Sequence, residues 1–102
     1  MVHTSIEVEI RETVRFSDWL EALRDKVALA KIQARILRLR KGNPGDVKPV
    51  GEGVSEMRID HGPGYRVYFI RQGSKLIILL AGGDKDSQAK DIRTALKLAR
   101  EM

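Results

Sequence analysis

The sequence predicts an α+β domain, in which one small antiparallel sheet carries an N-terminal helical hairpin and a C-terminal helix on one face. Three observations carry this prediction. Apolar residues recur at helical spacing from Phe16 to Leu39 and again from Ala89 to Ala99. Between them, short alternating or apolar runs are separated by Gly and Pro turns. The chain has 102 residues, the size of a single core, so residues 1–102 are read as one domain.

Ile6, Val8 and Ile10 alternate with Glu7, Glu9 and Arg11, which reads as a half-buried first strand. Phe16, Trp19, Leu20 and Leu23 then share one helix face, with Thr13 or Ser17 as its cap. Asp25 caps a second helix, whose stripe is Leu29, Ile32, Ile36 and Leu39; one long kinked helix is the alternative. Gly42 and Pro44 end it. Val47 to Val50, interrupted by Pro49, suits an edge strand.

Val54–His61 and Tyr65–Gln72 form a hairpin around Gly62-Pro63-Gly64. Matching apolar faces would pair Ile59 with Val67 and Met57 with Phe69, leaving three turn residues. The next strand is apolar on both faces from Leu76 to Ala81, as in a central strand. Asp84 or Asp86 caps the last helix, whose inward stripe is Ala89, Ile92, Leu96 and Ala99.

With no cysteine in the chain, disulfides and thiolate metal sites are excluded. The longest apolar run is too short to span a bilayer, and the N-terminus lacks the apolar core of a signal peptide. A soluble, cytoplasmic protein without membrane association is expected. The net charge of +5 and a pI near 9.8 favour an anionic partner.

In the predicted hairpin, Arg58, Arg66 and Tyr68 fall on the face opposite Met57, Ile59, Val67 and Phe69. Such a face suits a phosphate backbone. On the residues alone the preferred reading is plainer, with Arg66 paired to Asp60 and Arg58 solvated.

The series GNPGDVKPVGEGVSEMRIDHGPGYRVYF, followed by LLAGGDKDSQAKDI, resembles the RelE/ParE toxin superfamily, and more closely its HigB-like branch of addiction module killer proteins related to phage Gp49. The resemblance spans nearly the whole chain and implies the RelE-like fold. It implies a type II toxin that cleaves mRNA in the ribosomal A site through attack of a ribose 2′-OH on the adjacent phosphate. It also implies a cognate antitoxin of helix-turn-helix type, operator DNA bound only through the antitoxin complex, and no metal or other cofactor. Arg66 falls on the family's phosphate-stabilising arginine, Arg58 on a basic position of the preceding strand, and Lys85 near a second basic position after the last strand. Asp91 aligns near a tyrosine that serves as candidate base or acid in RelE.

The base and acid stay open. His61 suits proton transfer near neutrality, yet the expected register puts it on the core side with Tyr65. Asp91 shares one side of the last helix with Lys85 and Gln88, either as a cleft wall or as a solvated cap. Tyr68 could stack on RNA or be an ordinary sheet tyrosine. Arg35, Arg38, Arg40, Lys41 and Lys48 form a basic patch, read either as a grip on ribosomal RNA or as a solvated helix face. Two other functions share this fold: inhibition of DNA gyrase without catalysis, as in the ParE branch, and an inactive corepressor acting with its antitoxin.

Overall fold

The computed structural model describes residues 8–102; Ile6 of the predicted first strand lies outside them. The chain runs β1 (Glu9–Glu12), α1 (Val14–Glu21), α2 (Lys26–Arg40), β2 (Val47–Gly51), β3 (Val54–Ile59), β4 (Tyr65–Gln72), β5 (Leu76–Asp84) and α3 (Gln88–Arg100). The sheet order is β1-β5-β4-β3-β2, antiparallel except for the β1–β5 pair. This is the predicted α+β arrangement, with β2 at an edge and β5 inside. No helix among the described residues is long and apolar enough to cross a membrane.

Local chemistry explains the helix starts. Thr13 Oγ1 accepts the Phe16 N–H at 3.1 Å and donates to the Leu80 carbonyl at 2.7 Å, so one hydroxyl both caps α1 and ties it to β5. Asp25 Oδ1 accepts the Val27 and Ala28 N–H groups at 3.0 Å, capping α2. Past α2, Gly42 takes φ +87°, the left-handed conformation that ends helices. Asp84 Oδ1 accepts the Asp86 and Ser87 N–H groups and so shapes the turn into α3.

The helices occupy both faces of the sheet, which corrects the one-sided packing expected above. Phe16, Ile32 and Leu39 bury against Met57, Ile59, Val67, Phe69, Ile77 and Leu79. On the other face Ala95, Ile92, Leu96 and Ala99 of α3 cover Val54, Tyr68, Leu80 and Ala81. Ala89 is exposed and Ala95 takes its place in the stripe. A β5 strand that is apolar on both faces needs cover on both.

The β3–β4 register is shifted by two residues from expectation, with Met57 opposite Val67 and Ile59 opposite Tyr65. Five residues, Asp60 to Gly64, therefore form the connection, with Gly62 at φ +54° and Gly64 at φ +82°. A two-residue slip preserves which side chains share a face, so the apolar pattern could not detect it.

His61 lies beside Tyr65, on the side expected for it and away from the arginines. Its Nε2 lies 3.0 Å from Asp25 Oδ2, and its ring stacks beside Tyr65. The backbone N–H of Ala28 and the His61 hydrogen bond hold the Asp25 carboxyl below its ordinary pKa. A depressed folded pKa contributes stability that is present above the unfolded value and lost as pH falls through the folded one. Asp25→Asn should thus flatten the acid limb of stability below about pH 4 while keeping a capping side chain. Urea midpoints measured from pH 7 to pH 2 check this; identical acid limbs in both proteins would contradict it.

Candidate active site at the open end of the sheet

Arg58 and Arg66 stand directly opposite each other on β3 and β4. Like charges at that position repel, so the arrangement costs stability unless an anion relieves it. Only Arg58 finds a partner, Asp46 Oδ1 at 2.9 Å, and that pair is solvent-exposed on both sides. The expected Arg66–Asp60 pair does not form, and among the described residues Arg66 has no ion pair or hydrogen bond. The Nε atoms of both arginines are buried without partners.

At this end of the sheet β5 gives way to the turn that leads into α3. A cleft of about 480 Å³ opens there, lined by Arg58, Arg66 and Lys85 with Asp46, Asp60 and the Gly62–Gly64 turn. Lys85 arrives from the end of β5 and packs against Gly64, where an added Cβ would sit 3.6 Å from its own. Three cations thus face two carboxylates. Any anion reaching the cleft meets two guanidinium forks and an ammonium.

Beneath the arginines lies a buried polar layer. Glu56 is 0% exposed; its Oε2 accepts from the Tyr68 hydroxyl at 3.1 Å and from Gln88 Nε2 at 2.8 Å, while Oε1 has no partner. Burial first, then the Glu56 carboxylate, push the Tyr68 hydroxyl well above its ordinary pKa, with Asp91 adding to the shift and Arg66 opposing it. Tyr68 is consequently a neutral donor at every physiological pH. Its ring is fully buried under α3, so it cannot stack on RNA, which corrects that expectation.

Tyr68→Phe should leave the Glu56 carboxylate with one donor fewer and destabilise the fold by about 1–2 kcal/mol. Chemical denaturation reads this directly; an unchanged midpoint would mean that the hydroxyl contributes nothing.

Asp91, in the first turn of α3, sits over the neighbouring strand β5. It accepts a hydrogen bond from the Ser87 hydroxyl, and its Oδ2 lies 1.7 Å from where a Cβ on Gly83 would be. Gly83 is the β5 partner of Arg66. The missing side chain at Gly83 is what lets the carboxylate approach the sheet beside that arginine.

The structure therefore gathers Arg58, Arg66 and Lys85 around one cleft, leaves Asp91 outside its lining but over Gly83, the strand partner of Arg66, and excludes His61. The basic patch is divided. Arg38, Arg40, Lys41 and Lys48 are exposed, but Arg35 donates to the carbonyls of Arg58 at 2.6 Å and Pro44 at 3.0 Å. Its guanidinium fastens the α2–β2 loop that carries Asp46, so it is a structural anchor rather than a free RNA contact. Sequence reasoning missed Glu56. Its signal was alternation, which put it on the same strand face as Arg58.

A model of the phage-derived Gp49-like protein family (DUF891) matches residues 18–102. An uncharacterized protein of Haemophilus influenzae is 52% identical over 95 residues, covering 93% of this chain and 96% of its own. Among solved structures, a double arginine-to-alanine mutant of the E. coli toxin RelE in the free state superimposes with a TM-score of 0.72. It is 13% identical and covers 89% of this chain and 96% of its own, a likeness of fold.

Proposed function

Because this chain belongs to the phage-derived Gp49-like family, within the RelE-like superfamily, we propose that it is a toxin that cuts mRNA on the ribosome. Family membership implies an antitoxin partner. The observation that carries the nuclease reading is Arg66, without an ion pair among the described residues, facing Arg58 across the ladder beside Lys85 at the open end of the sheet.

By this route the RNA's own 2′-hydroxyl is the nucleophile. The ribose 2′-oxygen attacks the adjacent phosphorus, the bond from phosphorus to the 5′-oxygen breaks, and the products are a 2′,3′-cyclic phosphate and a 5′-hydroxyl. Arg66 and Arg58 hold the non-bridging oxygens as charge builds on them. Asp91, over Gly83 on the strand next to Arg66, accepts the 2′-hydroxyl proton, and Lys85 supplies one to the departing oxygen. The exposed Arg38, Arg40, Lys41 and Lys48 add a salt-sensitive attraction to ribosomal RNA.

Primer extension on a defined messenger with purified ribosomes tests the proposal. Cuts within A-site codons that require ribosomes are the expected result. An uncut messenger with loss of gyrase supercoiling would overturn it in favour of ParE-like inhibition. Inertness in both assays would leave the corepressor role.

A further inference from the structure

The Asp84–Ser87 turn separates two clefts of opposite character. On its far side from the arginines, between the starts of α1 and α3, lies an opening of about 670 Å³. That volume is in the range of small-molecule sites. It exists because β1 pairs with β5 only as far as Leu79, and Thr13 closes the ladder at the Leu80 carbonyl. Beyond that point no strand among the described residues pairs with this edge of β5, and the glycine pair Gly82–Gly83 leaves room for side chains arriving from both helices.

The Trp19 indole and Gly82 form the apolar wall of this opening, while the carboxylates of Asp18, Asp84 and Asp91 outnumber the cations Arg15 and Lys90. The arginine cleft has the reverse balance. A purely anionic ligand is thus drawn to one cleft only. A ligand filling both has a phosphate at one end and, across the Asp84–Ser87 turn, a flat ring rich in N–H donors. A nucleotide has that form.

We infer that the α1–α3 cleft receives the nucleobase on the 5′ side of the scissile phosphate, and that its carboxylates favour guanine. The inference rests on the nuclease reading and deepens it. With the 3′-phosphate on Arg58 and Arg66 and the base against Trp19, the intervening ribose lies beside Asp91. Asp84 Oδ1 is occupied by the Asp86 and Ser87 N–H groups, and Asp91 Oδ2 by the Ser87 hydroxyl. Asp18 is exposed and carries no ion pair among the described residues, so it is the carboxylate free to read the base. Guanine offers its N1–H and N2–H side by side to one carboxylate; uracil offers a single N–H.

The chain has one tryptophan, so the Trp19 indole N–H is a unique NMR reporter. Titrating the protein with 3′-GMP should move that signal, and 3′-UMP should bind several-fold more weakly. Asp18→Asn should weaken 3′-GMP about tenfold, the effect of one charge-assisted hydrogen bond. In the ribosome assay the same variant should cut a different set of codons. A Trp19 signal unmoved by 3′-GMP, equal affinity for 3′-GMP and 3′-UMP, or an unchanged codon pattern in Asp18→Asn would each overturn the inference. A base-selective Trp19 response in a protein that never cuts mRNA would support the pocket while refuting the nuclease reading.

Discussion

Arg66→Ala is expected to lower the rate of ribosome-dependent cleavage by about 10²–10³-fold, the usual effect of removing one pre-placed transition-state donor. The loss should fall on the chemical step, because the charge that Arg66 meets grows as the 2′-oxygen adds to phosphorus. Arg66→Lys should recover only part of it, since an ammonium cannot present two parallel N–H groups to one phosphate. Stability is the contrasting readout. Arg66 has no partner among the described residues and faces Arg58 across the ladder. Its removal relieves a repulsion, so unfolding should shift by no more than about 0.5 kcal/mol, if anything upward. Single-turnover cleavage beside thermal unfolding separates the two effects. An Arg66→Ala protein that cuts at the wild-type rate would remove Arg66 from the chemistry.

Gly82→Ala should be the most damaging small change in the fold. A Cβ there would lie 2.1 Å from Trp19 Cε3 and 2.4 Å from two further ring atoms. The indole has little freedom to retreat, since Phe16 packs 5.8 Å away on one side and Tyr65 6.4 Å away on another. One methyl group therefore displaces α1 from β5 or forces the ring off its rotamer. Overpacking of this kind costs about 3 kcal/mol, which in a domain this size lowers Tm by more than about 10 °C. Adding Trp19→Leu should recover part of the loss by making room, a coupling that two independent sites would not show. A Tm within about 2 °C of wild type for Gly82→Ala alone would mean that the indole moves freely.

Much of the fold was legible because the apolar spacing was strong. The caps at Thr13 and Asp25, the edge position of β2 and the central position of β5 all follow from local residue chemistry. What escaped needed information beyond the local pattern. The hairpin register slipped by two because a five-residue connection keeps every side chain on its face. The position of α3 was misjudged although β5 carried the sign, apolar residues on both faces, and that single error left Tyr68 in solvent.

The candidate site divides in the same way. Arg58 and Arg66 could be placed on one face by alternation alone, and their significance came from the resemblance. Alternation put His61 on the side of Tyr65, but its partner and the role of Arg35 could not be read, because they depend on groups far along the chain, Asp25 for one and the Pro44 and Arg58 carbonyls for the other. Glu56 was hidden for a related reason: a carboxylate on a strand looks solvated until the helix that buries it is in place.

Arginine side-chain NMR shows whether the Arg58–Arg66–Lys85 cleft holds a messenger phosphate. The ligand is a short RNA whose reactive 2′-hydroxyl is replaced by hydrogen, so that it binds without being cut. The Nε–H signals of Arg58 and Arg66, buried and unpartnered in the free protein, are expected to shift together and saturate with one ligand. Shifts confined to Arg38 and Arg40 on α2, with Arg58 and Arg66 unmoved, would contradict it.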